Sequence, residues 1–225
     1  MTATTWLAHA NLAHNEAASS GRWAEALRLR FNQAAALTVL LLLAPFIATV
    51  MALTWLSDGA PLFFAHWRVG RNGKLFRCFK FRTMCRNSEQ VLADLLARDP
   101  LAREQWARDY KLTHDPRITG IGAFLRRTSL DELPQLFNVL RGEMDLVGPR
   151  PITVAELTLY GPVRWHYLRV RPGITGLWQV SGRNNLTYPE RVALDRHYVE
   201  SRSLWLDVQI LLRTVKVVVR RDGSL

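Results

Sequence analysis

From Phe31 to Ser57 the chain carries no charged residue. The centre of this run, Leu37 to Leu56, is interrupted only at Ala44-Pro45. A continuous helix of that length could cross a bilayer, which takes about twenty apolar residues. Pro45 works against a simple crossing, because it removes a backbone donor in the middle and favours a bend. The halves on either side are about thirteen residues each, roughly 20 Å of helix, short of the ~30 Å hydrocarbon core. Cations also stand on both flanks: Arg22, Arg28 and Arg30 before the run, then Arg68, Arg71, Lys74, Arg77, Lys80, Arg82 and Arg86 after it. Positive flanks are retained in the cytoplasm, so the segment would enter and leave the membrane by one face. A kinked transmembrane helix, in which proline is tolerated, accounts for the same residues. Both readings stand at this level.

The net charge of +11 over 225 residues calls for an anionic partner: a phospholipid surface, nucleic acid or a phosphorylated substrate. The eight Trp suit a membrane interface and base stacking equally. Cys78 and Cys85 match no zinc spacing and make no disulfide framework, and are expected as free thiols in a reducing compartment. The first apolar run starts about thirty residues in and lacks a small-residue cleavage pattern, so no signal peptide is expected.

Three regions follow. Residues 1–27 are expected as a flexible tail and amphipathic lead-in, 28–57 as the membrane segment, and 58–225 as the catalytic domain with interfacial helices. Within the last, Arg71-Asn72-Gly73 between two strand-like runs predicts a hairpin. Asn87 to Ala97 has helical spacing, and Asp99-Pro100 opens a second helix to about Tyr110. A short helix is expected at Ala123 to Arg127, and one continuous helical pattern from Thr153 to about Val170. Arg171 to Asn184 has the Gly/Pro/Arg composition of a loop whose backbone wraps a ligand. Thr187 and Glu190 form a capping box for a helix carrying Asp195. Leu204 to Val219 reads as an interfacial or packed helix.

The stretch Thr128 to Leu136 holds two adjacent carboxylates, Asp131 and Glu132, after Arg126-Arg127 and before Val147-Gly148-Pro149-Arg150-Pro151. Ser129 and Glu132 have capping-box spacing, so one reading is structural: Ser129 caps a helix running to Leu140 and Asp131 complements its dipole. The other reading is chemical. One carboxylate can bind Mg²⁺, a hard cation that bridges carboxylates and substrate phosphates. The other can attack phosphorus. Nearby cations neutralise the transferring group. The six His are scattered, and neither a Walker loop nor a Rossmann fingerprint is present.

Taken together, several motifs in order resemble the bacterial sugar transferases, the monotopic phosphoglycosyl transferases that prime glycan assembly on polyprenyl phosphate. They are the Pro-broken apolar segment, Arg68-Val69-Gly70 with Gly73, Lys80 to Met84, Ser129 to Leu136, Val147 to Pro151, Arg171 to Gly176 and Gln179 to Asn184. Length and the Asn87 to Tyr110 segment are most similar to the small exopolysaccharide-production branch. The resemblance implies an α+β, mainly α fold with a re-entrant helix hairpin broken at Pro45 and interfacial amphipathic helices on the cytoplasmic face of the inner membrane. It implies Asp131 as nucleophile on the β-phosphorus of a UDP-hexose, releasing UMP, with Glu132 holding Mg²⁺ and undecaprenyl phosphate as acceptor. It implies phosphate contacts for Lys80, Arg150 and Arg183, and places for Arg126 and Asp195 near the active site. Membrane lipid and downstream glycosyltransferases are the further partners, nucleic acid is not, and a homodimer is left open. Glu143-Met144-Asp145 departs from the family's usual Asp-Met-Ser and would add negative charge near Arg150. A non-catalytic, membrane-tethered basic protein would explain the charge and Trp content, but not the dyad within a cationic site.

Overall fold

A computed structural model describes the backbone of residues 3–109 and 112–220, and side chains from Trp23 onward except at 109, 184, 219 and 220. The chain opens with one long helix, α1 (Ala3–Asp58). The separate tail expected for Met1 to Gly21 is therefore not a distinct element from Ala3 on; Met1 and Thr2 lie outside the described residues. Pro45 does not end the helix, which continues through it. Losing one donor costs a single backbone bond, and the apolar turns on either side keep theirs. The described part, Trp23–Asp58, is long and apolar enough to cross a membrane.

α1 touches the rest of the protein at two places. In its first half Arg28, Asn32 and Ala36 are buried, and Ala36 packs on Phe76, Leu136, Val139 and Met144. In its second half Val50 and Thr54 are buried, and Val50 packs on Phe81 and Leu125. Between them Leu41, Leu42, Ala44, Pro45 and Phe46 are exposed. Polar anchors close both ends. Glu25 pairs with Arg71 (2.8 Å), Arg171 (3.6 Å) and Arg202, and Arg28 pairs with Asp207. Beyond the apolar run, Arg82 meets the Asp58 carboxylate at 3.2 Å and donates to the carbonyls of Asp58 and Gly59.

β1 (Phe63–Val69) and β2 (Leu75–Phe81) form the expected antiparallel hairpin, with Phe64 opposite Lys80. Asn72 (φ 56°) and Gly73 (φ 77°) take the left-handed conformations its turn requires. α2 (Ser88–Arg98) and α3 (Pro100–Asp109) follow as expected, with Asp99 Oδ1 accepting from the amides of Leu101 and Ala102. α4 (Gly120–Thr128) starts three residues earlier than expected, because Thr119 caps it by accepting from the Gly122 amide. α5 (Gln135–Leu140) is joined to α4 by a 3₁₀ turn, Leu130–Glu132.

β3 (Asp145–Val147) pairs in parallel with β4 (Gly173–Thr175). The single helix expected from Thr153 to Val170 is two, α6 (Val154–Leu159) and α7 (Arg164–Arg169), divided at Gly161 (φ 50°) and Pro162. α8 (Leu177–Val180), α9 (Tyr188–Ser201) and α10 (Leu204–Arg220) complete the chain. Val147, Leu177, Tyr198 and Ile210 join β3 to these last three helices. Leu204, Trp205, Val208, Leu212 and Val215 leave one apolar face of α10 exposed.

The glycines of Arg171 to Gly176 have a packing role. A Cβ on Gly173 would stand 2.1 Å from the Gly148 amide nitrogen, and one on Gly176 2.3 Å from the Gly148 carbonyl. The two loops lie backbone against backbone, so the glycines admit each other's main chain and fix the turn that carries Arg150.

Gly122 sits where α4 meets the end of β2. Alanine there would normally favour a helix by about 1 kcal/mol, but its Cβ would fall 2.0 Å from the Thr83 carbonyl oxygen. Gly122→Ala is expected to destabilise the protein by about 3 kcal/mol, read as a lowered midpoint in denaturation of the detergent-solubilised chain. A midpoint at or above wild type would show that helix propensity governs this position.

Candidate active site

Ser129 does not cap the dyad helix. It is the left-handed residue (φ 57°) that ends α4, and its amide bonds back to the carbonyls of Leu125 and Arg126. The capping box read from Ser129 and Glu132 is thus absent, and Glu132 is released for other contacts. The tight 3₁₀ turn that follows presents Asp131 and Glu132 side by side toward β2.

Lys80 on β2 answers them. Its Nζ lies 2.7 Å from Glu132 Oε1 and 3.6 Å from Asp131 Oδ2. The register between strand and dyad is set by Asn138, which is fully buried on α5. Its Oδ1 accepts from the Phe79 amide, and its Nδ2 donates to the Arg77 carbonyl and to Glu143 Oε2. Asn138 thus satisfies β2's free edge and locks α5 to it.

Three arginines surround the pair. Arg150 Nη2 is 3.7 Å from Glu132 Oε1. Arg126 donates from Nε to the buried Thr83 hydroxyl at 2.8 Å and acts electrostatically on Asp131. Arg183, left-handed at φ 48°, donates to Ser129 Oγ at 3.3 Å and acts on Glu132. A cleft beside Glu132 is lined by Lys80, Arg150, Arg68, Cys78, Gln135 and Gln179. A larger hollow against α2 and α3, lined by Asp99, Arg108 and His114, holds none of the dyad residues.

The carboxylates are shifted in opposite directions. Burial pushes Asp131 up and Glu132 adds to the shift, while Lys80 and Arg126 oppose it; the net direction is up. Burial also acts on Glu132, but Lys80 and Arg150 outweigh it and hold that carboxyl below its ordinary value. Glu132 is therefore a settled anion, and Asp131 the more basic and less compensated oxygen of the two. Burial pushes the Cys78 thiol up to about 11, so it stays neutral beside them.

Of the residues singled out from sequence, Asp131, Glu132, Lys80 and Arg150 meet directly, and Arg126 and Arg183 flank them. Asp195 does not join the cluster. It is buried among aromatics, accepts from the Tyr160 hydroxyl at 2.7 Å, and reaches the site only through the field of Arg150. The expected extra negative charge near Arg150 does not materialise either. Glu143 is taken up by Asn138, and Asp145 is buried beside Arg171, 3.9 Å away. Thr83, Gln179 and Trp178 carried no functional signal in sequence beyond lying within motif stretches; their parts depend on contacts with residues from other stretches of the chain.

No group of three or more His, Cys, Asp or Glu side chains comes together among the described residues. An all-protein metal cage is therefore not on offer. Two adjacent hard oxygen ligands do fit Mg²⁺, which commonly takes one or two carboxylates and completes its shell with water and substrate phosphate.

A cationic site built round a carboxylate pair thus stands beside a long apolar helix. The chain belongs to the bacterial sugar transferase family, whose model matches residues 23–221. It is 52% identical over 201 residues to an undecaprenyl-phosphate galactose phosphotransferase of Salmonella typhimurium, covering 88% of this chain and 41% of that protein. It is 49% identical to a UDP-galactose-lipid carrier transferase of Erwinia amylovora, over 95% of this chain and 44% of that protein. It is 48% identical to the exopolysaccharide production protein ExoY of Rhizobium meliloti, over 86% of both chains. The chain thus spans about two fifths of the first two relatives and most of the third.

Burial lifts Asp195 to about 7, against the Tyr160 hydrogen bond and Arg150. A raised carboxyl favours the folded state below its unfolded value of 3.8, and this contribution is lost as pH rises toward about 7. Asp195→Asn keeps an acceptor for Tyr160 and removes the charge. Its melting temperature relative to wild type is expected to be more favourable at pH 8 than at pH 5. An equal difference at both pH values would show that Asp195 ionises freely in the fold.

Proposed function

We propose that the chain transfers hexose-1-phosphate from a UDP-sugar to undecaprenyl phosphate, releasing UMP, as the priming step of exopolysaccharide or related glycan assembly. The observation that carries this reading is the Asp131–Glu132 pair gripped by Lys80, with Arg150 at 3.7 Å. The names of the relatives favour undecaprenyl phosphate as acceptor and galactose as the first sugar to test.

In this reading an Asp131 oxygen attacks the β-phosphorus of the UDP-sugar. The bond to the α-phosphate oxygen breaks, and UMP leaves with the electron pair. The product is an aspartyl phosphosugar. A phosphate oxygen of undecaprenyl phosphate then attacks the same phosphorus, the bond to Asp131 breaks, and the carboxylate is restored. The basicity of Asp131 suits it for attack, and the settled charge of Glu132 suits it to hold Mg²⁺, which would supply charge neutralisation on the diphosphate. Lys80, Arg150 and Arg183 bind phosphate oxygens and keep the donor in line with Asp131.

The membrane reading is that α1 enters and leaves by the cytoplasmic face of the inner membrane. Its support is the two-ended anchoring. A straight helix would carry Glu25 and Asp58 about 50 Å apart, yet both are ion-paired to the same charged domain. Two polar anchor sets on opposite sides of a bilayer would draw that domain through the hydrocarbon, at a cost of several kcal/mol per unpaired polar group. The exposed stretch of α1 around Pro45 is then the deepest point. In a cysteine-free background, single cysteines at Ala24 and Ser57 should both react with an impermeant maleimide from the cytoplasmic side only. Labelling of one from each side would establish a full crossing.

The chemistry is tested by intact mass after incubation with Mg²⁺ and UDP-galactose or UDP-glucose, without acceptor. Wild type should gain one hexose phosphate, and Asp131→Asn none, with UMP release falling at least a thousandfold; an amide cannot form the acyl phosphate. Normal UMP release by Asp131→Asn would remove Asp131 as nucleophile. Lys80→Ala should keep the fold and lose tenfold or more in kcat/KM. Unchanged kinetics would make Lys80 a lipid contact.

A further inference from the structure

Of the four residues that meet directly, Arg150 is the most exposed, with 43% of its side chain accessible. An arginine so placed samples many rotamers unless something holds its plane. What lies beside it is an indole. Arg150 Cζ stands 6.0 Å from the centre of the Trp178 ring, and Trp178 on α8 is itself buried. The same ring carries a second guanidinium, Arg191 of α9, at 4.9 Å. Arg191 is fixed in turn, its Nε donating to the Leu186 carbonyl at 3.1 Å. Leu186 closes the 3₁₀ turn Arg183–Asn185, which begins with Arg183.

We propose that Trp178 and Arg191 are positioning residues for Arg150: the indole face sets the direction of its guanidinium, and Arg191 ties that ring to the turn bearing Arg183. This rests on the reading of Arg150 as a ligand of the substrate phosphates. Two physical effects follow. A guanidinium against an aromatic face is stabilised by the ring quadrupole and held in plane, which an ammonium on a flexible stem would not reproduce. Two like charges sharing one ring also repel. Arg191 is tethered, so the repulsion biases Arg150 away from α9 and toward Glu132 and an incoming diphosphate. The cations on the two loops, Arg150 and Arg183, are thereby mechanically joined through α8 and the start of α9. A donor phosphate that draws one inward meets the other already placed.

The test is steady-state UMP release by the full chain in nanodiscs, with undecaprenyl phosphate and whichever of UDP-galactose or UDP-glucose the wild type turns over. The variants are Arg150→Ala, Trp178→Leu, Trp178→Phe and Arg191→Met, with the doubles Arg150→Ala/Trp178→Leu and Arg150→Ala/Arg191→Met. Arg150→Ala should raise the donor KM about tenfold or more. Trp178→Leu should raise it about fivefold with a smaller change in kcat, and Trp178→Phe, which keeps an aromatic face, should recover most of that loss. In the Arg150→Ala background neither Trp178→Leu nor Arg191→Met should raise KM further. Full multiplication of the single effects in both doubles would overturn the proposal, because a residue acting only on folding adds independently of Arg150. If Trp178→Leu does not fold, the Arg191→Met cycle decides alone, since Arg191 is only partly buried. An unchanged KM in Arg150→Ala would overturn the phosphate-ligand reading and this one with it, whereas an impaired Arg150→Ala with multiplicative doubles would overturn this one alone.

Discussion

The apolar helix is fastened to one charged domain at both ends, and the rest of the structure depends on that constraint. At one end a single carboxylate, Glu25, collects Arg71 from the hairpin turn, Arg171 from the strand β4 lead-in and Arg202 from the α9–α10 junction. At the other, Arg82 binds the Asp58 side chain and the carbonyls of Asp58 and Gly59. Each anchor satisfies polar groups that would be costly beside hydrocarbon. Between the anchors, the helix contributes Ala36 and Val50 to two cores, and those cores also hold the strand that carries Lys80 and the helices that bracket the dyad.

The site therefore inherits its precision from packing that lies outside it. Asn138 pins α5 to β2, so the dyad turn cannot slide relative to Lys80. Gly122 lets α4 close on Thr83, which receives Arg126. Gly148, Gly173 and Gly176 let two loops press main chain to main chain, so Arg150 projects from a rigid turn. The cations around two partly buried carboxylates are supplied from four separate stretches. Their fields separate the two acids, leaving Glu132 a stable anion and Asp131 a basic one. That separation makes two neighbouring carboxylates chemically distinct.

Much of this was legible in sequence where the signal is local. Asn72-Gly73 marked the hairpin, Asp99-Pro100 the start of α3, and Thr187 with Glu190 the cap of α9, because each depends on neighbours in the chain. Ser129 and Glu132 had the same local form and misled, since tertiary contacts took Glu132 to Lys80 and turned Ser129 left-handed. Pro45 marked a weak point in the helix but not its end. In the glycine-rich stretch after Arg171, Gly173 and Gly176 face the backbone of Gly148, a packing role the composition alone did not reveal.

The sequence by itself determined the long apolar segment, the charge balance, the order of the motifs and the adjacency of Asp131 and Glu132. These follow from composition and from residues adjacent in the chain. Only the tertiary structure decided that Lys80 answers Glu132 across 52 positions, that Asp195 belongs to an aromatic core, and that Glu143 and Asp145 are absorbed away from Arg150. The reason is physical: the strength and direction of an ionic contact are set by distance and burial, and neither is written in the spacing of residues along a chain.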